Sequence, residues 1–79
     1  MSSREQNERK FGKWRELASG GRCYEFEVVG KQGWKARYFK EVDSSDNTLR
    51  FWQEIFNEQN ELVEIHQKYP VDLGHRKVR

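Results

Sequence analysis

Two periods of apolar residues divide this 79-residue chain. Near the start, Phe11, Trp14, Leu17 and Ala18 fall on one stripe of a 3.6-residue repeat, which predicts an amphipathic helix. Ahead of it, Ser2-Ser3-Arg4-Glu5-Gln6 offers a serine N-cap with Glu or Gln three residues on, the pattern of a capping box. Residues 4–10 are almost wholly charged or amide, so residues 1–10 read as a flexible arm or a solvated extension of that helix. Ser19-Gly20-Gly21 ends it, since glycine supplies the left-handed conformation that stops a helix.

From Arg22 the period falls to two, the mark of strands with one face buried. Tyr24, Phe26 and Val28 alternate with Glu25 and Glu27, and Trp34, Ala36 and Tyr38 alternate with Lys35 and Arg37. A loop of Lys31-Gln32-Gly33, with Gly33 left-handed, pairs Gly30 with Trp34, Phe26 with Tyr38 and Glu27 with Arg37. That register puts Tyr24, Phe26, Trp34 and Tyr38 on one face and an opposite-charge pair on the other.

After the turn cluster Asp43-Ser44-Ser45-Asp46-Asn47, the runs Thr48 to Phe56 and Glu61 to Tyr69 form a second hairpin around Glu58-Gln59-Asn60. A three-residue loop pairs Phe56 with Leu62, Gln53 with Ile65 and Leu49 with Tyr69. One face then carries Leu49, Phe51, Gln53, Ile55, Val63, Ile65, Gln67 and Tyr69. The other carries Arg50, Trp52, Glu54, Phe56, Leu62, Glu64, His66 and Lys68, with Trp52 opposite His66 and Arg50 opposite Lys68. Pro70 has no amide hydrogen and ends the last strand.

The element order is thus α-β-β-β-β, and a lone sheet with one apolar face needs a cover. The expected fold is α+β, an N-terminal helix packed on a four-stranded antiparallel β-meander. Residues 11–70 would form the single domain and 71–79 a basic C-terminal tail. A chain this short holds one domain. Its 35% charged residues and mean hydropathy of −1.15 resemble a disordered composition, but 14% aromatic residues can close a small core.

Cys23 is the single cysteine and cannot form an internal disulfide, and no charged and apolar leader opens the sequence, so a reducing, cytoplasmic setting is expected. It reads as a small half-buried thiol on a strand rather than a bridge between copies. Apolar runs of two or three residues exclude a helical membrane span. Charge is unevenly spread: residues 1–22 hold six Lys/Arg against three Asp/Glu, residues 23–65 five against nine, and residues 66–79 four against one. Both ends are basic and the middle is acidic.

Phosphate loops, dinucleotide fingerprints, Cys-x-x-Cys and His-Glu-x-x-His are all absent, so no cofactor or metal is expected. A zinc site would have to draw on Cys23, His66 and His75 from separate elements. What departs from a plain core-and-surface pattern is the second sheet face. There Phe39, Trp52 and Phe56 lie among Arg37, Arg50, His66 and Lys68, with His75 and Arg76 in reach from the tail. Rings supply contact area at low entropic cost, and charges set orientation. The plain alternative is that the tail folds back and buries Trp52 as a second small core.

Three function classes can use such a face. A protein-interaction module suits its mixed charge. A nucleic-acid binder would stack bases on Trp52, Phe39 and Phe56 and grip phosphates with the basic ends, against the repulsion of Glu25, Glu27, Glu41, Glu54 and Glu64. A toxin-type endoribonuclease would use Glu64, His66, Lys68, His75 and Arg76 as acid, base and phosphate clamp.

The stretch from Thr48 to Lys77, with LRFWQEI, ELVEIHQKYP and VDLGHRK, resembles a family of short prokaryotic proteins grouped as a domain of unknown function. The likeness rests on His66, Lys68, Tyr69, Pro70, Asp72, Gly74 and His75. It implies a bacterial, archaeal or phage origin and no activity. The reading that follows is a small non-enzymatic accessory module that binds a protein partner through the aromatic-charged face and basic tail. Nucleic-acid binding is the alternative, and an exposed edge strand leaves room for a symmetric homodimer.

Overall fold

A computed structural model describes residues 3–78. It is an α+β chain with α1 (Ser3–Phe11) followed by six strands, β1 (Lys13–Glu16), β2 (Arg22–Val29), β3 (Lys35–Val42), β4 (Thr48–Phe56), β5 (Leu62–Tyr69) and β6 (Gly74–Lys77). The strands form one antiparallel sheet in sequence order, a pure meander. Two strands more than expected come from the ends: β1 from the segment read as helix, and β6 from the basic tail.

The helix lies earlier than the apolar stripe placed it. Glu5 in its first turn and Arg9 and Lys10 in its last complement the helix dipole. Gly12 then adopts φ +74° and donates its N–H to the Glu8 carbonyl at 2.9 Å, which closes the helix at Phe11. The stripe is therefore divided: Phe11 ends the helix, Trp14 sits on β1, and Leu17 and Ala18 lie at the turn into β2. The Ser2 end of the capping box falls outside the described residues. Residues 4–10, expected as an arm or solvated extension, are the helix itself, and Asn7 is buried within it.

Packing under the helix is small and aromatic. Phe11 meets the rings of Tyr24, Phe26 and Phe51 with centroids 5.8, 5.3 and 6.4 Å away, and Tyr24 and Val42 are fully buried. Burial of a ring such as Phe11 contributes roughly 2–3 kcal/mol. A polar hub completes the seal. The buried Asp46 carboxylate accepts hydrogen bonds from Tyr24 Oη at 2.6 Å, Asn7 Nδ2 at 3.3 Å and Arg4 Nε at 3.1 Å. Arg22 ties the neighbouring elements, pairing with Glu8 at 2.7 Å and Glu16 at 3.0 Å beneath the Trp14 ring.

The β2–β3 hairpin has the expected register, Phe26 opposite Tyr38 and Glu27 opposite Arg37, with Gly33 at φ +82°. Trp34 lies outside the strands, exposed at the hairpin loop. The β4–β5 hairpin starts as expected, with Phe56 opposite Leu62 and Asn60 at φ +65°, and then departs. The register shifts twice, leaving Val63 and Lys68 of β5 without a direct partner on β4. Each is a β-bulge, and a one-residue slip turns the following side chains to the other face. Gln53 consequently pairs with His66 and not Ile65, Trp52 with Gln67 and not His66, and Phe51, rather than Leu49, with Tyr69. Arg50 lies opposite Glu41 of β3, not Lys68.

Candidate functional site

Directly paired residues share a face, so the registers sort the predicted binding residues into two groups. Arg37, Phe39, Arg50, Trp52, Phe56 and Arg76 lie on the face away from α1, the open face. His66, Lys68 and His75 lie on the helix face. The sequence had placed all nine together, and the bulges at Val63 and Lys68 are what separate them. Nor does the tail fold over Trp52, because β6 continues the sheet in plane beside β5. Among the described residues no element packs on the open face.

Two cross-strand rows define that face. In one, Glu27, Arg37, Glu54, Ile65 and Arg76 follow one another across five strands, so charge alternates in sign with a single aliphatic interruption. Arg37 Nε donates to Glu27 Oε1 at 3.0 Å, and its guanidinium lies 5.1 Å from the Phe56 centroid. In the adjacent row Glu25, Phe39, Trp52 and Gln67 follow one another. Phe39 and Trp52 stack at 5.0 Å and 14°, Trp52 Nε1 donates to Glu54 at 3.1 Å, and Arg50 covers the indole at 4.1 Å. Each arginine at the centre of the face thus has a ring beneath it and a carboxylate beside it, Glu41 in the case of Arg50. Contacts of this kind hold the side chains in extended, presentable geometries.

On the helix face a third row runs Phe26, Tyr38, Gln53, His66, His75. Gln53 Nε2 donates to Tyr38 Oη at 3.0 Å, and the two imidazoles meet with centroids 4.4 Å apart. His66 Nε2 lies 2.7 Å from Asp72 Oδ1, and His75 Nδ1 lies 2.9 Å from Glu64 Oε1. Asp72 also accepts the Gly74 N–H at 2.9 Å, and its carboxyl is held below the usual range by the His66 and Gly74 hydrogen bonds. The residues that carry the resemblance noted in the sequence therefore build the β5–β6 hairpin.

Of the groups considered for ribonuclease chemistry, the structure brings Glu64, His66 and His75 together and leaves the others apart. Lys68 turns toward Tyr38 and Phe51, its ammonium 5.3 and 5.8 Å from their centroids, and Arg76 is on the open face. His66 Nε2 is engaged by Asp72 and its Nδ1 is buried with no partner among the described residues, so neither nitrogen is presented to a substrate. A general acid or base needs a ring nitrogen within reach of the proton it transfers. No cluster of three or more His, Cys, Asp or Glu suited to a metal occurs among the described residues, and none of their helices is long and apolar enough to cross a membrane. Cys23 is buried rather than half-buried, and burial pushes its thiol up against the opposing pull of Arg15.

Sequence reasoning missed Asp46 and Asp72. Both sit in turn segments whose aspartates read as turn formers, and for Asp72 the Gly two residues on was the available signal. No family model, curated protein or solved structure matches this chain.

Proposed function

We propose that this chain is a non-enzymatic interaction module that binds a protein partner through the open sheet face, in a reducing, cytoplasmic setting. The observation that carries the reading is the Phe39–Trp52 stack under Arg50, set beside a row of alternating charge on a face that no described element covers. Rings held flat offer contact area without ordering cost, and paired charges of both signs select a polypeptide surface of complementary pattern. A polyanion would meet Glu25, Glu27, Glu41 and Glu54 beside every arginine at the centre of this face.

The test is affinity capture of the full chain at about 0.15 M salt, beside Trp52→Ala and Arg37→Glu. A stoichiometric polypeptide should be recovered with the parent chain and lost with both variants, whose amide spectra stay dispersed. Equal recovery with all three chains, or recovery of nucleic acid that depends on Trp52, would overturn the reading. A second copy of the chain is one admissible partner and would appear as a dimer in sedimentation that both substitutions dissociate.

A further inference from the structure

The helix lies mainly over β1 and β2, and it reaches β3 through Asn7–Lys40 and β4 through Phe11–Phe51. Beyond its C-terminal end lies a groove of about 590 Å³ whose lining includes Lys10, Phe11, Lys40, Asp46, Phe51 and Tyr69. The size falls within the usual range for small-ligand clefts, about 300–1,000 Å³. Its floor is aromatic: Phe51 is half-buried, and Tyr69, directly across from it on β5, is 47% exposed.

The charge in this groove is unbalanced, unlike that of the open face. Lys40 lies directly opposite Phe51 across β3–β4, and its ammonium donates to Asn7 Oδ1 at 2.9 Å. Lys10 lies over Phe11 at 5.8 Å, and Lys68 over Phe51 at 5.8 Å. Among the described residues none of the three lysines has a carboxylate within ion-pair distance. The one carboxylate in the lining, Asp46, is already engaged by Arg4, Tyr24 and Asn7 and turned away from solvent. Burial pushes the Lys40 ammonium down, and the neighbouring Lys10 adds to that, with Asp46 only partly offsetting them. Two ammonium groups outweigh the fractional negative charge at the end of a nine-residue helix. An anion placed between them relieves their repulsion.

From this combination we infer that the groove between the end of α1 and strands β3 to β5 binds a nucleotide, its phosphate held by Lys10 and Lys40 and its base stacked on Tyr69 and Phe51. The shared chemistry is a flat ring joined to phosphate, supplied either by a free mononucleotide or by a nucleotide within a single strand. A bare anion would leave the aromatic floor unused, and an apolar ligand would leave the lysines unpaired. The site is separate from the open face, so its test does not depend on the protein partner proposed above.

The test is a titration of the full chain, followed by amide chemical shifts, with AMP, UMP, inorganic phosphate, an eight-nucleotide single-stranded RNA and a phosphotyrosine peptide. Saturable shifts at Lys40, Thr48 and Phe51 with the nucleotides are expected, at least tenfold tighter than with phosphate. Lys10→Gln, an exposed helix position, and Tyr69→Ala should each weaken binding several-fold, and the double variant by more than tenfold. Tighter binding of the RNA than of AMP, with a logarithmic salt slope of about −1.4 to −2.1 for two or three phosphate contacts, assigns the site to a strand; equal affinities assign it to free nucleotide. Shifts confined to the open face, equal affinity for phosphate and nucleotides, or preference for the phosphotyrosine peptide would overturn the proposal.

Discussion

The two faces of the meander solve the problem of a small sheet in opposite ways. On the helix face side chains are removed from water: Phe11, Tyr24 and Val42 form the buried cluster, and the Asp46 carboxylate is satisfied by three donors. On the open face side chains stay at the surface and are paired with one another, ring on ring and cation beside carboxylate. The same alternating strands supply both. Burial concentrates free energy in few residues, whereas exposed pairs each contribute little, so stability and recognition fall on different sides of one sheet.

The largest effect should follow from opening the helix side. Asp46→Ala leaves Tyr24 Oη, Asn7 and Arg4 without their common acceptor, and removing one partner from a buried charged network costs about 3 kcal/mol or more. Phe11→Ala creates a cavity under three rings at a similar cost, about 3 kcal/mol. Urea unfolding should show both as a lowered midpoint with an unchanged slope. A loss below about 1 kcal/mol for Asp46→Ala would place the hub among solvated surface pairs and erase the contrast between the faces.

Trp52→Ala probes the other side. Although indole is the largest side chain on the open face, it is half-buried, and its loss should cost about 2 kcal/mol, less than Phe11, from the stack with Phe39, the Arg50 contact and the partial burial of the ring. The same urea series measures it, and a cost matching that of Phe11→Ala would mean the open face is a second core.

These contrasts also explain what could be read in advance. The β2–β3 hairpin was legible because its loop has a glycine where a left-handed residue is required and its strands alternate cleanly. The extent of the helix was not, because its packed face is Arg4, Asn7, Glu8 and Phe11, three of them polar, so hydrophobic periodicity had one residue to detect. The bulges at Val63 and Lys68 left no local mark: β5 reads as an unbroken strand, and only pairing with β4 and β6 decides which way His66 points. Of the candidate binding residues, Arg37, Phe39, Arg50, Trp52, Phe56 and Arg76 share the open face, while His66, Lys68 and His75 lie across the sheet. The groove beside α1 needed Lys10 and Lys40, whose sequence separation hides their proximity.

The smallest effect tests where the helix face ends. Asp72 is exposed, yet it ties the β5–β6 loop by accepting from Gly74 and meeting His66. Because the folded carboxyl titrates below its ordinary value of about 3.9, the tie is complete above that pH and is lost as pH falls through the lower value. An acid titration followed at the Gly74 amide should therefore give a midpoint below about 3.9. Asp72→Asn keeps an oxygen for the Gly74 N–H and removes the charge, so it should abolish that titration while leaving the urea midpoint of the whole chain in place. A midpoint at the ordinary value would show that the carboxylate does not tie the loop, and a global loss of stability in Asp72→Asn would show that this hairpin belongs to the cooperative core rather than to its rim.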